Sequence, residues 1–277
     1  MLKSVPFAPP AWASALRRPP PKKLGLGHFP TPILPFVPPG LPEGVRMFIK
    51  RDDFSGMETS GNKIRKLEFL LAEALEQKAD CIVTCGGIQS NHCRATAAVA
   101  RMLGLDSYLL LRTNKPDEDP GLVGNVLFDR MLDANLIQMS RQEYGKSQVR
   151  LELCPHSHVE VAYRCINPAH AYIVCDNDEY FHGHIDNQIL PAMGAPPDLT
   201  SRQFLQITNA QGTGYARSTK KELEFIYSVS RKTGVLMDPV YSGKALFHLI
   251  RELNEAPEVR NRQPYAVSKT ANFRPAH

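Results

Sequence analysis

A lysine at the start of a predicted helix is the first feature of this sequence that could do chemistry. Lys63 follows Gly61 and Asn62, and the apolar residues after it recur every three or four positions, as on one face of a helix. The positive end of the helix dipole disfavours a charged amine there, and an amine that attacks a carbonyl must be neutral. The alternative is a solvated basic face shared with Arg65 and Lys66.

A second segment places polar side chains at the start of another predicted helix. An apolar strand ends at Gly86 and Gly87, and Gln89, Ser90 and Asn91 follow directly. In open parallel sheets, ligands bind beyond the carboxyl ends of the strands, where glycines permit close backbone approach and helix N–H groups bind carboxylates. Serine and asparagine are also preferred helix caps, so capping is the alternative role for both.

Two tyrosines are further candidates for proton transfer. Tyr215 follows Gly214, and Tyr241 lies just before a helical pattern, in the segment that begins at Asp238. A phenol near a leaving group can give or take a proton. Taken alone, each is more simply interpreted as an amphipathic core residue. Lys244, at the start of the same helix, is interpreted as an exposed lysine.

Three blocks of the sequence resemble a known enzyme family. They are I-K-R-D-D at 49–53, G-N-K-I-R-K-L-E at 61–68 and G-G-I-Q-S-N at 86–91. In this order they resemble pyridoxal-phosphate enzymes of the tryptophan synthase β-like fold, in the branch of D-cysteine desulfhydrase and 1-aminocyclopropane-1-carboxylate deaminase. The likeness covers 24–145 and 170–255 and includes both tyrosines. It implies an α/β fold of type II, with two open parallel-sheet domains.

The resemblance also implies which residues bind the cofactor, pyridoxal 5′-phosphate. Lys63 matches the lysine that carries the cofactor, and Asn91 matches the side chain that binds the cofactor's phenolic oxygen. Asn62 and Gln89 complete the implied cofactor-binding set. In such enzymes the cofactor supplies the electron sink, and the protein supplies binding and orientation.

The implied catalytic residues are Lys63, Ser90, Tyr241 and Tyr215. Lys63 would act as the base at the substrate's α-carbon, with Ser90 close to that carbon. The function that the resemblance implies is conversion of D-cysteine to pyruvate, ammonia and hydrogen sulfide. Deamination of 1-aminocyclopropane-1-carboxylate is the alternative, because substrate choice depends on a few pocket contacts.

The chain departs from the family's pattern between 148 and 171. Family members hold the cofactor phosphate on a glycine-rich loop that leads into a helix, but this stretch contains no glycine. A late strand that ends in a His-Thr-Gly-Gly type segment is also missing. We therefore expect part of the large domain to be missing. A pseudoenzyme that serves as a partner for full-length subunits is the hypothesis from a different class.

The alternation of predicted strands and helices indicates right-handed crossovers and parallel sheets. By resemblance, 80–140 form a small mobile domain, and 28–79 with 141–255 form the large cofactor domain. Residues 1–27 contain many prolines and no acidic residue, so we expect a lead-in without fixed structure. We expect 256–277 to form an irregular tail.

Composition restricts the partners and the compartment. The net charge of +5 is mild, which does not favour nucleic-acid binding. Six cysteines without framework spacing indicate a reducing compartment. There is neither a membrane-length apolar run nor a secretory signal, and the spacing of His182 and His184 does not favour a metal. We expect a cytoplasmic homodimer acting on a small amino acid, with mitochondria as the alternative compartment.

Overall fold

The computed structural model describes residues 2–11, 19–56, 58–59, 61–146, 169–260 and 265–269. The strands are β1 (Ser4–Pro6), β2 (Lys22–Leu24), β3 (Ile33–Pro35), β4 (Met47–Arg51), β5 (Cys81–Gly87), β6 (Asp106–Arg112), β7 (Asn135–Met139), β8 (Ala169–Ile173), β9 (Leu205–Asn209) and β10 (Tyr265–Lys269). The helices are α1 (Lys63–Glu76), α2 (Asn91–Leu103), α3 (Gly124–Met131), α4 (Arg141–Lys146), α5 (Asp178–His184), α6 (Leu190–Ala192), α7 (Lys220–Thr233), α8 (Ser242–Glu255) and α9 (Pro257–Arg260). The predicted alternation of strands and helices from β4 to β7 is confirmed.

The first parallel sheet has the order β5-β6-β7 and carries α2 and α3 against it. Helix α2 is rich in alanine, and its buried Ala97 and Cys93 pack with Leu109 and Leu111 of β6. Small side chains let the helix lie close to the sheet, which brings the start of α2 to the carboxyl end of β5. The division into a small mobile domain and a large domain remains a prediction.

A second sheet has β4 at its centre, antiparallel to β3 and parallel to β10. Met47 and Ile49 of β4 pack in one core with Val229 of α7 and Leu253 of α8. The expectation of an irregular tail is wrong for 265–269, because β10 pairs with β4 over its whole length. Tyr265 and the residue two positions later pack against this core, an alternation too short to be distinctive in the sequence. Strands β8 and β9 form a separate parallel pair.

The lead-in also differs from expectation. Strands β1 and β2 pair antiparallel, and Leu24 is fully buried against α1. Phe7 packs edge-on against Phe69 of α1, with ring centroids 4.9 Å apart. The carboxylate of Glu68 accepts hydrogen bonds from the N–H groups after β2, which fixes this segment to the helix. The glycine-free stretch 148–171 lies largely outside the described residues, which resume at β8.

An ion pair between a buried carboxylate and a half-buried arginine joins the end of β4 to the first turn of α1. Asp52 is 1% exposed, and Arg65 donates to its two carboxylate oxygens at 3.1 and 2.8 Å. Thr31 donates to the same carboxylate at 2.6 Å. Burial alone would raise the pKa of Asp52, but the hydrogen bonds from Arg65 and Thr31 outweigh it and hold that pKa below its usual value. The charged form of Asp52 therefore stabilises the fold.

Replacement of Asp52 by Asn should lower the free energy of unfolding at pH 7 by about 2 kcal/mol, because it removes the buried charge that accepts hydrogen bonds from Arg65 and Thr31. Since the folded-state pKa is depressed, this stability is present above the unfolded value near 4 and is lost as the pH falls through the folded pKa. Urea unfolding at pH 7 and pH 3 should show the difference between the two proteins shrinking at pH 3.

The matched control is Asp53→Asn. Asp53 forms an ion pair with Arg51, two residues before it. The Asp53→Asn protein should lose only about 1 kcal/mol of its free energy of unfolding, because that contact is local. Equal losses for the two variants, or a difference that does not depend on pH, would contradict the role assigned to Asp52.

Candidate active site

The loop before Lys63 is held by the end of β4. The N–H of Gly61 donates to the carbonyl oxygen of Asp52 at 3.1 Å and to the hydroxyl oxygen of Ser55 at 2.9 Å. Ser55 in turn donates to the same Asp52 carbonyl at 2.7 Å. Gly61 has a φ of +97°, a left-handed conformation that favours glycine. Lys63, half-buried, is the first residue of α1, as predicted.

Helix α2 contacts the other side of this loop. The guanidinium of Arg94, 3% exposed, donates to the carbonyl oxygen of Glu58. Arg94 lies close enough to the buried Asp129 of α3 for their charges to interact. Burial raises the pKa of Asp129 to about 7, against the opposing effect of Arg94, and burial also lowers the pKa of Arg94. The sheet β5-β6-β7 is thereby tied to the lysine loop through α2.

The Gly86 turn is tightly packed. A Cβ on Gly86 would lie 2.5 Å from the hydroxyl oxygen of Ser90 and 2.8 Å from the sulfur of Cys93, so only glycine fits. The Ser90 hydroxyl accepts from the N–H of Cys93 at 3.2 Å, which caps α2. The capping role considered for Ser90 is therefore present in the structure, while its role near a substrate remains a prediction.

Gln89 and Asn91 are joined through Asn125, at the start of α3. Gln89 accepts from the Asn125 N–H at 2.7 Å and donates to the carbonyl oxygen of Val123 at 3.2 Å. The side chain of Asn125 donates to the Gln89 carbonyl and to the Asn91 side chain, both at 2.9 Å. Asn125 is 0% exposed. This network fixes the amide oxygen of Asn91 while the amide of Gln89 is used to hold α3.

The two candidate tyrosines are in direct contact. The hydroxyl oxygens of Tyr215 and Tyr241 lie 2.6 Å apart, so one phenol donates to the other. The buried carboxylate of Asp238 accepts from the N–H groups of Val240, Tyr241 and Ser242 at 2.9, 2.6 and 2.8 Å. The turn that carries Tyr241 is therefore fixed by a charge within the protein.

A cleft of about 460 Å³ opens at the carboxyl ends of β5 and β6. Gln89 and Tyr215 line it, together with the basic side chains Arg112 and Arg141. The arginines could attract an anionic group. In the described part of the chain, the cleft's lining does not include the other candidates, which are Lys63, Asn62, Ser90, Asn91 and Tyr241.

Lys244 corrects the sequence interpretation. It is fully buried rather than exposed, because three backbone carbonyl oxygens surround its ammonium. Two of them belong to Gln211 and Gly214, in a glycine-containing loop of the kind that can bind a phosphate. Since those carbonyls face a cation, and the N–H groups of Gln211 and Gly214 donate within the loop, it is not arranged to bind an anion.

The three longest helices after β8 likewise have the protein's own acidic groups at their starts. Helix α5 has Asp178 and Glu179 in its first turn, α7 has the capping-box carboxylate of Glu222, and α8 has the carboxylate of Asp238. A negative charge near these N-termini repels a phosphate that would otherwise bind there. Among these helices of the described chain, none has a free N-terminus for a cofactor phosphate.

Sequence reasoning missed Asn125, Asp238, Arg112 and Lys244 as parts of this region. Asn125 follows a glycine at a predicted helix start, and Arg112 ends an apolar strand, which are signals that could have identified both. Asp238 lies four residues before a serine at a helix start, which resembles a cap. The burial of Lys244 has no local sequence signal, because its acceptors are backbone atoms.

Within the described residues, no helix has the length and apolar content needed to cross a membrane. The His, Cys, Asp and Glu side chains of the same segments form no group of three or more able to hold a metal ion. His182, one of the histidines considered, instead contacts the hydroxyl of Ser201 at 2.7 Å.

The chain is similar to several known proteins. A bifunctional D-cysteine desulfhydrase/1-aminocyclopropane-1-carboxylate deaminase, mitochondrial, of Arabidopsis thaliana is 40% identical over 322 positions, covering 93% of this chain and 80% of the relative. Because 322 exceeds the 277 residues of this chain, the relative contains segments that this chain lacks. A D-cysteine desulfhydrase of Serratia proteamaculans is 29% identical, over 75% of this chain and 81% of the length of that relative.

The solved structure of a 1-aminocyclopropane-1-carboxylate deaminase homologue has the same fold, with a TM-score of 0.70, 23% identity and 94% of each chain covered. An O-acetylserine-dependent cystathionine β-synthase from Helicobacter pylori shares it at a TM-score of 0.51, 13% identity and 96% coverage of each chain. These likenesses confirm the predicted α/β fold of type II. The family described as pyridoxal-phosphate dependent enzyme matches residues 24–171, more than half of the chain. The chain therefore belongs to the pyridoxal-phosphate-dependent enzymes.

Proposed function

We propose that this protein eliminates hydrogen sulfide from D-cysteine, and that one water molecule then hydrolyses the remaining aminoacrylate to pyruvate and ammonia. The names of the Arabidopsis and Serratia relatives support this substrate. The observation that carries the proposal is the pair of phenols, Tyr215 and Tyr241, at 2.6 Å beside a cleft with basic side chains. A linked pair of phenols can pass a proton to a leaving group, and the arginines can hold a substrate carboxylate.

The donor set fits the reactive end of pyridoxal phosphate. An amine at a helix start and an oriented amide are the groups that this end requires, and Lys63 and Asn91 provide them. When bound, the cofactor would supply an electron sink for the reacting carbon of the substrate. Lys63 would hold the cofactor, and its Nζ would take the proton from the substrate's α-carbon. Asn91 would hold the cofactor's ring by a hydrogen bond. Asn62, Gln89 and Ser90 belong to the same proposed site.

The assignment to Lys63 predicts a loss of chemistry without loss of the fold. Lys63→Ala should abolish the borohydride-fixable attachment of the cofactor and lower the rate of sulfide release by at least about 10³-fold, as expected for a missing base. The free energy of unfolding should change by no more than about 0.5 kcal/mol, since the side chain is only half-buried. Mass spectrometry after borohydride treatment and a sulfide assay measure the two effects.

The control is Lys66→Ala, which removes another lysine from the first turns of α1. This variant should retain both cofactor attachment and activity. A Lys63→Ala protein that still fixes the cofactor would refute the assignment.

The substrate proposal predicts stereoselectivity. D-Cysteine should release sulfide about 100-fold faster than L-cysteine, because a base fixed on one face of the substrate reaches the proton of only one enantiomer. Parallel assays with both enantiomers and with 1-aminocyclopropane-1-carboxylate test this. Equal rates for the enantiomers would contradict the proposal, and turnover of 1-aminocyclopropane-1-carboxylate alone would support the deaminase alternative.

A second candidate function is that of an impaired pseudoenzyme. The acidic residues at the starts of α5, α7 and α8 favour it, because these three helices of the described chain offer a cofactor phosphate no open N-terminus. We also propose a homodimer that acts inside the cell. The cytoplasm is the proposed compartment, with mitochondria as the alternative that the name of the Arabidopsis relative supports.

The occupied helix starts predict weak cofactor binding. We expect this protein to bind pyridoxal phosphate at least ~10-fold more weakly than the Arabidopsis relative, a factor that corresponds to only about 1.4 kcal/mol of lost binding free energy. Absorbance titrations of both apo-proteins give the two dissociation constants. Equal constants would mean that other residues of this chain hold the phosphate as effectively.

A further inference from the structure

A fully buried lysine lies beneath the loop that carries Tyr215. The ammonium of Lys244 donates to the carbonyl oxygen of Gln211 at 2.6 Å, to that of Gly214 at 3.0 Å and to that of Arg217. Lys244 is 0% exposed. An ammonium has three N–H donors, so this single loop satisfies all of them.

A buried carboxylate lies in the same region. A Cβ placed on Gly212 would lie 3.0 Å from Oε1 of Glu222 and 3.7 Å from Nζ of Lys244, so both charged groups lie close to Gly212. Glu222 is 2% exposed. Burial lowers the pKa of the neighbouring His248, and the positive charge of Arg251 lowers it further. His248 is therefore not a second cation at neutral pH. A buried charge persists in a protein when hydrogen bonds satisfy it, and the three carbonyl oxygens do so for Lys244.

The loop's backbone adopts conformations that an unconstrained chain rarely populates. Gly212, Gly214 and Ala216 have φ values of +59°, +133° and +59°. For Ala216 the left-handed region is strained. Strained residues persist where the surrounding structure over-determines them, and the three carbonyl–ammonium bonds from below supply such a constraint.

Lys244 and Asp238 belong to one segment, at the start of α8, and each binds backbone groups beside one of the two tyrosines. Asp238 binds the N–H groups of the turn that carries Tyr241. Lys244 binds the carbonyls of the loop that carries Tyr215. The 2.6 Å contact between the phenols therefore depends on two buried charges of opposite sign.

We propose that Lys244 is a tethered cation: its ammonium occupies a carbonyl site of the kind that binds potassium and fixes Tyr215 against Tyr241. Lys244 is thus a positioning residue that contacts neither substrate nor cofactor. The consequence for turnover rests on the proposed function, but the order of the loop is measurable in the protein alone.

Trypsin reports directly on this loop. Arg217 is exposed, and its carbonyl, which belongs to the bond that trypsin cuts, is an acceptor for Lys244. In Lys244→Met, cleavage after Arg217 should be at least 10-fold faster than in the unmodified protein, as followed by mass spectrometry. An unchanged cleavage rate in a folded Lys244→Met protein would overturn the proposal.

Added cations distinguish a cation site from general loosening. Lys244→Ala leaves space for a free ion, so potassium or methylammonium chloride should restore protection at Arg217, whereas the larger tetramethylammonium should not. Lys220→Ala is the control, because that exposed lysine forms only an ion pair with Glu224 on α7. Failure of both small cations to restore protection would overturn the assignment of a cation site.

A measurement on the unmodified protein covers the case in which the variants do not fold. With ¹⁵N-labelled lysine, one ammonium resonance should exchange with water at least 10-fold more slowly than the others. Absence of such a slowly exchanging resonance would overturn the proposal.

In active protein, Lys244→Met should lower kcat at least 10-fold with the cofactor dissociation constant unchanged. Loss of all activity in the unmodified protein would refute the proposed function, while the proteolysis result would still decide the role of Lys244.

Discussion

The ion pair between the buried Asp52 and Arg65 is the contact on which the proposed site depends. It joins the carboxyl end of β4 to the first turn of α1, and the loop between them presents Lys63. The I-K-R-D-D and G-N-K-I-R-K-L-E blocks are therefore two halves of one interaction. Glu68, in the second block, extends the same arrangement to the segment after β2. Asp52, Arg65 and Glu68 of these motifs thus hold in place the loop and the helix that carry Lys63.

A common device recurs around the tyrosines, where buried charges are satisfied by backbone groups rather than by opposite side chains alone. Asp238 collects N–H groups at the start of α8, and Lys244 collects carbonyls from the adjacent loop. Both arrangements fix backbone positions with few side chains, which suits a site that must hold phenols within hydrogen-bonding distance. The carboxylates at the starts of the nearby helices also offset the helix dipoles, so a bound anion would gain little from those dipoles.

The sequence predicted the elements with strong local patterns and missed the contacts that depend on tertiary structure. Helix α1 and the strands of the β5-β6-β7 sheet follow from apolar spacing and bordering glycines, and the family motifs led to the fold. The burial of Lys244 could not be predicted, because its partners are backbone carbonyls that a sequence does not distinguish. Strands β1, β2 and β10 are short, and their pairing is decided by distant partners rather than by their own composition.

The pairing of β10 with β4 has a consequence for how the protein is made. Strand β4 emerges early from the ribosome, whereas its parallel partner is among the last described residues, at 265–269. At ~5–20 residues per second, translation keeps that edge of β4 unpaired for on the order of ten to forty seconds. The sheet β10-β4-β3 is therefore completed only after the roughly 200 residues between β4 and β10 have been synthesised. During that interval an apolar strand edge is open to chaperones and to other nascent chains.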